Sequence, residues 1–200
     1  MPISPRRLPG RERRHQLVQA AVELFAERDY GDVSLEDVAH AVGVAPSLLY
    51  HYFPGRVREL HLEAVRLACQ QGVALLDIDA ATPLPGRQAT NFAAYLDEIQ
   101  NCTPAYSLIS RARASANPDV QAVITDARRE LVSRIALNNL GTAEPAPAVA
   151  LAIGSYLEFV EAACRQWEMS KPISRDELLG FLARTLTAVI NSAETCATPA

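Results

Sequence analysis

Tyr50, Tyr52 and Arg56 place two phenolic hydroxyls and a guanidinium close together in the chain, beside Pro46, Ser47, Leu48 and His51. Groups of this kind hold phosphate oxygens, and a helix N-terminus adds backbone N–H groups to the same task. A basic arm precedes these side chains: through Arg14 the chain carries Arg6, Arg7, Arg11, Arg13 and Arg14 against Glu12 alone. These residues point to duplex DNA as a partner. Two plainer readings stand beside that one, the arm as a solubilising terminus and His51 as a side chain packed against the first helix.

Catalytic chemistry has no comparable cluster. Glu158 and Glu161 lie three apart without a Glu-x-x-His partner, and His15, His40, His51 and His61 all fall in the first 61 residues. The sequence has no glycine-rich phosphate loop and no nucleophile elbow. Cys69, Cys102, Cys164 and Cys196 are spaced too widely for a zinc knuckle or a redox pair. The expectation is therefore no catalytic residue, no metal site and no cofactor. His15, His40 and His61 read as surface residues.

The elements that must position these side chains read as helices nearly throughout. Leu17, Ala20, Ala21, Leu24 and Phe25 repeat at three- and four-residue steps over 11–28, the stripe of an amphipathic helix. Ser34 and Asp37 form a capping-box pattern that opens a short helix, Gly43 breaks it, and Pro46 suits the first turn of the next. Pro54-Gly55 ends that helix. One helix, a tight turn and a second helix make a helix-turn-helix, with Val38, Val42, Val44, Leu49 and Phe53 expected inside it. A generic helical hairpin explains Gly43 and the apolar pattern as well; the tyrosines, Arg56 and the basic arm favour the DNA reading. Further helices are predicted over 56–80, 87–100, 104–115, 118–140, 146–168 and 175–194, with caps at Thr103, Asn117 and Ser174, a stop at Gly141, and a frayed end from Thr195. The fold expected is all-α, about nine helices.

Composition narrows the class. The chain has 200 residues, 49% hydrophobic and 21% charged, with a formal net charge of −4. That excludes a uniformly basic nucleic-acid coat and an acidic disordered tail. No stretch reaches eighteen consecutive apolar residues, which argues against a spanning helix, and the N-terminus lacks the apolar core of an export signal. A cytoplasmic protein with reduced thiols is expected, with no membrane partner. Residues 1–60 hold eight basic and eight acidic side chains, and residues 61–200 hold eleven and fifteen. A division follows: 1–60 as the DNA-binding part with its arm, and 61–200 as an acidic part with other partners.

The run Ala20-Ala21-x-x-Leu24-Phe25-Ala26-Glu27, then Tyr30-Gly31 and Ser34-Leu35-Glu36-Asp37-Val38-Ala39, then Gly43-Val44-Ala45-Pro46-Ser47-Leu48-Leu49-Tyr50-His51-Tyr52-Phe53, resembles the N-terminal domain of the TetR family of transcriptional regulators. The resemblance covers roughly residues 11–60. It implies a homodimeric all-helical repressor whose larger domain binds a small molecule and then releases its operator. Carried over by position, Pro46, Ser47 and Leu48 would meet base edges in the major groove. Tyr50, Tyr52 and Arg56 would meet phosphates, as would the backbone around Ser34. Asp29 departs from the glycine common there, and Pro54-Gly55-Arg56 replaces the usual polar pair and lysine, which changes donor geometry. With so few polar groups on the reading face, His51, the arm or DNA shape would supply much of the specificity.

For residues 61–200, helices 146–168 and 175–194 carry small and branched residues on more than one face, as a homodimer interface would; a monomeric core is the plainer alternative. Phe92, Tyr95, Leu96, Ile99, Cys102, Tyr106, Ile109, Tyr156 and Phe159 are candidates to line an effector cavity, with Arg113 or Trp167 near one end. Each also fits an ordinary core. The effector expected is small and largely apolar, with Arg111 and Arg113 hinting at a carboxylate. A structural or adaptor protein, or an activator of the same fold, are the rival functions.

Overall fold

In the computed structural model, which describes residues 9–77 and 83–197, every regular element among the described residues is helical. In chain order these are α1 (Gly10–Glu27), a 3-10 turn (Tyr30–Asp32), α2 (Leu35–Val42), α3 (Pro46–Tyr52), α4 (Arg56–Ala74), α5 (Leu84–Gln100), α6 (Pro104–Arg113), α7 (Pro118–Leu140), α8 (Pro147–Ser170) and α9 (Arg175–Ala197). Among the described residues the expectation of an all-α fold of about nine helices holds. Arg6 and Arg7 of the arm lie outside the described residues, and Arg11, Arg13 and Arg14 already belong to α1.

Local signals set the boundaries of the short helices. Ser34 caps α2 reciprocally: its hydroxyl accepts from the Asp37 amide at 3.1 Å, while the Asp37 carboxylate accepts from the Ser34 amide at 2.8 Å. Gly43 ends α2 at φ 72°, a left-handed conformation that costs a side-chain-bearing residue far more. The Val44 amide then reaches the Ala39 carbonyl at 2.9 Å, closing a Schellman-type stop. Ser174 and Glu177 repeat the capping box at α9, the Asn117 side chain accepts from the Asp119 amide at α7, and Gly141 stops α7 at φ 75°.

Three limits differ from the sequence reading by three residues or more. α4 ends at Ala74 instead of 80, because the Leu75, Leu76 and Asp77 amides switch to three-residue bonds and Asn138 Nδ2 takes the Leu76 carbonyl at 3.0 Å. α5 begins at Leu84 instead of 87, since a proline in a first turn gives up an N–H that has no helical partner anyway. α9 continues to Ala197, past the expected frayed end.

The chain forms two compact units. The first comprises residues 1–69 and 104–124, the second 70–103 and 125–200. The first therefore extends past residue 60 and takes in α6, which packs along α1. Its core joins Leu17, Ala21, Val22 and Phe25 of α1 to Leu35 and Val38, Leu49 and Phe53, and Leu60 and Ala64. Burying each of these Leu, Val and Phe side chains contributes about 1.5–3 kcal/mol before entropy is counted. Val42 and Val44 are only half-buried, because helices of eight and seven residues leave the rim of their turn uncovered.

In the second unit α9 packs against α8 and α5. Tyr156 is buried and donates its hydroxyl to the Leu182 carbonyl at 2.6 Å; Trp167 Nε1 donates to the Ile173 carbonyl at 2.8 Å. Arg175 bridges to α5 through Asp97 and Gln100 at 2.6 and 2.8 Å. α8 is long and apolar enough to cross a membrane by length and composition. Within it, however, Ile153, Tyr156, Val160 and Cys164 are buried and Glu158 pairs with Arg128 at 2.5 Å, so it behaves as a packed helix of the bundle.

Candidate nucleic-acid interface

α3 is anchored by one side and displayed by the other. Leu49 and, just past its end, Phe53 are fully buried, while Pro46, Ser47, Tyr50 and His51 are exposed and Leu48 and Tyr52 are half-buried. His51 rests edge-on against the Tyr52 ring at 5.4 Å and stays exposed, so it is not packed into the core. The sequence thus brings Pro46, Ser47, Leu48, Tyr50, His51 and Tyr52 onto one short helix. Ser34 sits half-buried at the start of α2, with its hydroxyl committed to the cap.

Arg56 follows a tight turn in which its amide donates to the Phe53 carbonyl at 2.9 Å. Its φ of 60° is unusual for a residue with a side chain. The turn is fixed by Glu59, whose carboxylate accepts from the Gly55 amide at 2.8 Å; a Cβ at Gly55 would lie 2.9 Å from the Glu59 side chain. This arrangement requires the glycine and leaves Arg56 exposed at the head of α4. Tyr52 is held near the other helix start: a Cβ at Gly10 would stand 3.4 Å from the Tyr52 hydroxyl.

Tyr50 is not idle. Its hydroxyl donates to Glu36 Oε1 on α2 at 2.7 Å. That bond holds the Glu36 carboxyl below its ordinary value and raises the Tyr50 phenol, with the Arg56 charge partly opposing the second effect.

Several interactions in the first unit escaped the sequence reading. Arg14, counted in the arm, lies over the Phe53 ring at 4.9 Å and pairs with Glu63 at 2.8 Å and Glu59 at 3.7 Å. It is a brace between α1 and α4. His61, expected at the surface, is half-buried between the rings of Phe25 and Tyr30 at 4.7 and 4.9 Å, and burial lowers its pKa. Arg111, read as a hint of a ligand carboxylate, pairs with Asp29 at 2.6 Å, and Arg58 pairs with Asp119. Of these only the charges were visible in the sequence; their partners lie far along the chain.

The candidate effector residues divide between the units. Tyr106, Ile109 and Arg113 are half-buried in the first, on α6. In the second, Leu96 and Ile99 are buried, Phe92 and Tyr95 are half-buried, and Cys102 is exposed at φ 46° in the turn after α5. Tyr156 is buried but already bonded to Leu182. Phe159 faces outward, 38% exposed, and meets Phe181 edge-on at 5.8 Å. A groove of about 880 Å³ runs between α8 and α9, lined by Leu151, Ser155, Phe181, Ala188, Val189 and Ser192 among others. Leu151 is 72% exposed there and Phe181 42%, an apolar surface on the two helices expected to form an interface. Among the described residues no group of three or more His, Cys, Asp or Glu is placed to hold a metal ion.

Comparison with known proteins agrees with this architecture. Residues 17–57 match the family profile of bacterial regulatory proteins, tetR family. The HTH-type transcriptional activator FasR of Mycolicibacterium smegmatis is 31% identical over 137 residues, 64% of this chain and 62% of that protein, so the match spans less than two thirds of its length. The HTH-type transcriptional regulator BetI of Brucella anthropi is 28% identical over 153 residues, 73% of this chain and 78% of that protein. The crystal structure of a tetR-family transcriptional regulator from Streptomyces coelicolor is similar with a TM-score of 0.73 and 26% identity, covering 94% of this chain and 84% of that one. The profile match over residues 17–57, the two sequence relatives and the similarity to the Streptomyces coelicolor structure together identify residues 17–57 as the N-terminal domain of the TetR family of transcriptional regulators.

Proposed function

We propose that the chain is a ligand-responsive repressor of transcription, a homodimer that binds a palindromic duplex DNA operator and releases it when a small, largely apolar molecule occupies the second unit. The observation that carries this reading is the exposed face of α3, held outward by the buried Leu49 and Phe53. Pro46, Ser47 and Leu48 are assigned to base edges, and Tyr50, Tyr52, Arg56 and the Ser34 backbone to phosphates; His51 adds a polar contact beside them. DNA as partner gives the chain a cytoplasmic place.

One short reading helix makes weak contacts, and duplication about a two-fold axis is the physical remedy, with the two copies about 34–36 Å apart along the groove. The apolar surface of Leu151, Phe159 and Phe181 supports pairing through α8 and α9. Phe159 is accordingly assigned to the dimer face in place of the cavity. Phe92, Tyr95, Leu96 and Ile99 on α5 are assigned to the effector, with Cys102 and Tyr156 of the same unit as secondary candidates. α4 and α7 each continue from one unit into the other, and they are the elements by which effector binding would alter the spacing of the two α3 helices.

FasR is named an activator and BetI a regulator, and the sign of control depends on where the operator lies relative to a promoter. Selection of binding sites from a randomised duplex pool, followed by a reporter assay with the selected site overlapping a promoter, tests the reading. Recovery of a palindrome and loss of reporter output is the expected result. A purified, folded dimer that enriches no sequence rules it out.

A further inference from the structure

Glu36 is an anomaly on a face read as meeting DNA. It is exposed in the first turn of α2, beside Ser34, and α3 is the next helix in the chain. The neighbouring Asp37 is accounted for, since it closes the capping box and lies 3.5 Å from Arg28. Glu36 closes no capping box: among the described residues no ion pair is formed by it, and its strongest side-chain partner is the Tyr50 hydroxyl at 2.7 Å. The donor that Glu36 engages is one of the groups assigned to an operator phosphate. A phenol has a single O–H, which serves one acceptor at a time. An exposed carboxylate near a phosphate also opposes it by Coulomb repulsion, strongly at low salt and weakly once screened.

From this geometry, and resting on the DNA reading above, we infer that Glu36 is an affinity-setting residue of the DNA-binding surface: its carboxylate holds the Tyr50 hydroxyl in the free protein and must surrender it to an operator phosphate on binding. The bound state exchanges the Glu36–Tyr50 hydrogen bond for a phosphate–Tyr50 bond and leaves Glu36 facing solvent near a like charge. Glu36 thereby weakens binding to every sequence alike, because it opposes the backbone and not the bases. Its effect is to keep the protein off non-operator DNA, where base contacts do not compensate. Arg56, near enough to influence the Tyr50 phenol, works in the opposite direction by attracting phosphates.

The test uses the full chain and two probes, a duplex carrying the palindrome selected by the unmodified protein and a scrambled duplex of equal length. Glu36→Gln keeps the shape and the hydrogen-bond acceptor and removes the charge; Glu36→Ala removes both. Glu36→Gln is expected to tighten binding to both duplexes by roughly three- to tenfold near 0.1 M salt, with the gain shrinking as salt rises. In the Glu36→Ala background, Tyr50→Phe is expected to cost more than in the unmodified protein, because the hydroxyl no longer has a rival acceptor to lose. Circular dichroism confirms that each variant is folded. Unchanged or weaker binding by both Glu36 variants overturns the inference while leaving the DNA reading intact, and equal Tyr50→Phe costs in the two backgrounds overturn the exchange. Failure of the unmodified protein to select any duplex overturns both.

Discussion

Arg111 Nη1 lies 2.6 Å from Asp29 Oδ1, joining α6 to the turn that follows α1 across 82 positions of sequence. Asp29 occupies a place where many relatives were expected to carry glycine, and the pairing gives that departure a structural role. The two side chains are exposed, so water and salt weaken the attraction, and most of the cohesion between the helices comes from the apolar contact beneath them.

That division of labour is measurable by chemical denaturation. Arg111→Ala is expected to cost less than about 1 kcal/mol. Leu108→Ala, which truncates a residue 1% exposed in the same helix, is expected to cost about 2–4 kcal/mol. Equal losses for the two variants would show that the charge pair, and not the packing, holds α6 in place.

Arg56 presents a fixed charge at the head of α4, and its removal should be felt on any duplex. Arg56→Ala is expected to weaken binding and to lower the salt slope by roughly 1 per protomer. Ser47→Ala is expected to alter the ranking of operator variants with little change in slope. The opposite assignment, with Arg56 affecting sequence preference alone, would move it from the backbone to the bases.

His61 supplies a pH dependence whose sign follows from its surroundings. Burial between Phe25 and Tyr30 lowers its folded pKa beneath the ordinary value of 6.5. The unfolded chain therefore binds the proton more readily, so stability is full above that value and declines as pH falls through the interval down to the folded pKa. Melting curves between pH 7.5 and 5 are expected to slope downward for the unmodified protein and to flatten in His61→Asn. A slope unaffected by His61→Asn would assign the effect to other groups. At lower pH the carboxyls held below their ordinary values, Asp37 and Glu63 among them, add a further loss.

Tyr156 illustrates why a hydroxyl in a core is not by itself a ligand contact. Tyr156→Phe is expected to cost about 1–2 kcal/mol by leaving the Leu182 carbonyl without its side-chain donor. Effector affinity, where measured, should change less than it does in Phe92→Ala. A large affinity loss at unchanged stability would place Tyr156 among the effector contacts after all.

The exposed ridge of α8 and α9 yields a prediction about assembly. Leu151→Glu combined with Phe181→Glu is expected to convert a sedimenting dimer into a folded monomer, with binding to the palindrome falling at least tenfold because the two half-sites are no longer read together. A variant that still sediments as a dimer would move the interface elsewhere.

Much of the first unit was legible because its signals are local. Ser34 with Asp37, Gly43, and Pro46 lie within a few residues of the helix ends they define, so backbone chemistry alone places α2, the turn and α3. Periodicity located Leu49 and Phe53 inside. What the sequence could not display were pairings across distance: Arg14 with Glu63, 49 positions apart, or Tyr50 with Glu36, where Tyr50 read alone suggested a phosphate-facing group. Arginines are common in this chain, and charge without a partner's location says nothing about whether it braces, reads or merely solvates. The effector candidates suffered the same ambiguity in apolar form, since Tyr156 and Phe159 share a helical stretch yet one is buried and the other faces outward.

α6 packs against α1 although their starting points, Gly10 and Pro104, lie far apart in the chain, and α7 begins in the same unit before continuing into the other. The reading head is consequently not a detachable cassette. A chimera that grafts only the first sixty residues onto another relative's body would bring α1 without the helix that covers it. Inheritance of a new operator preference is then easier by editing the exposed face of α3 in place than by exchanging whole N-terminal segments.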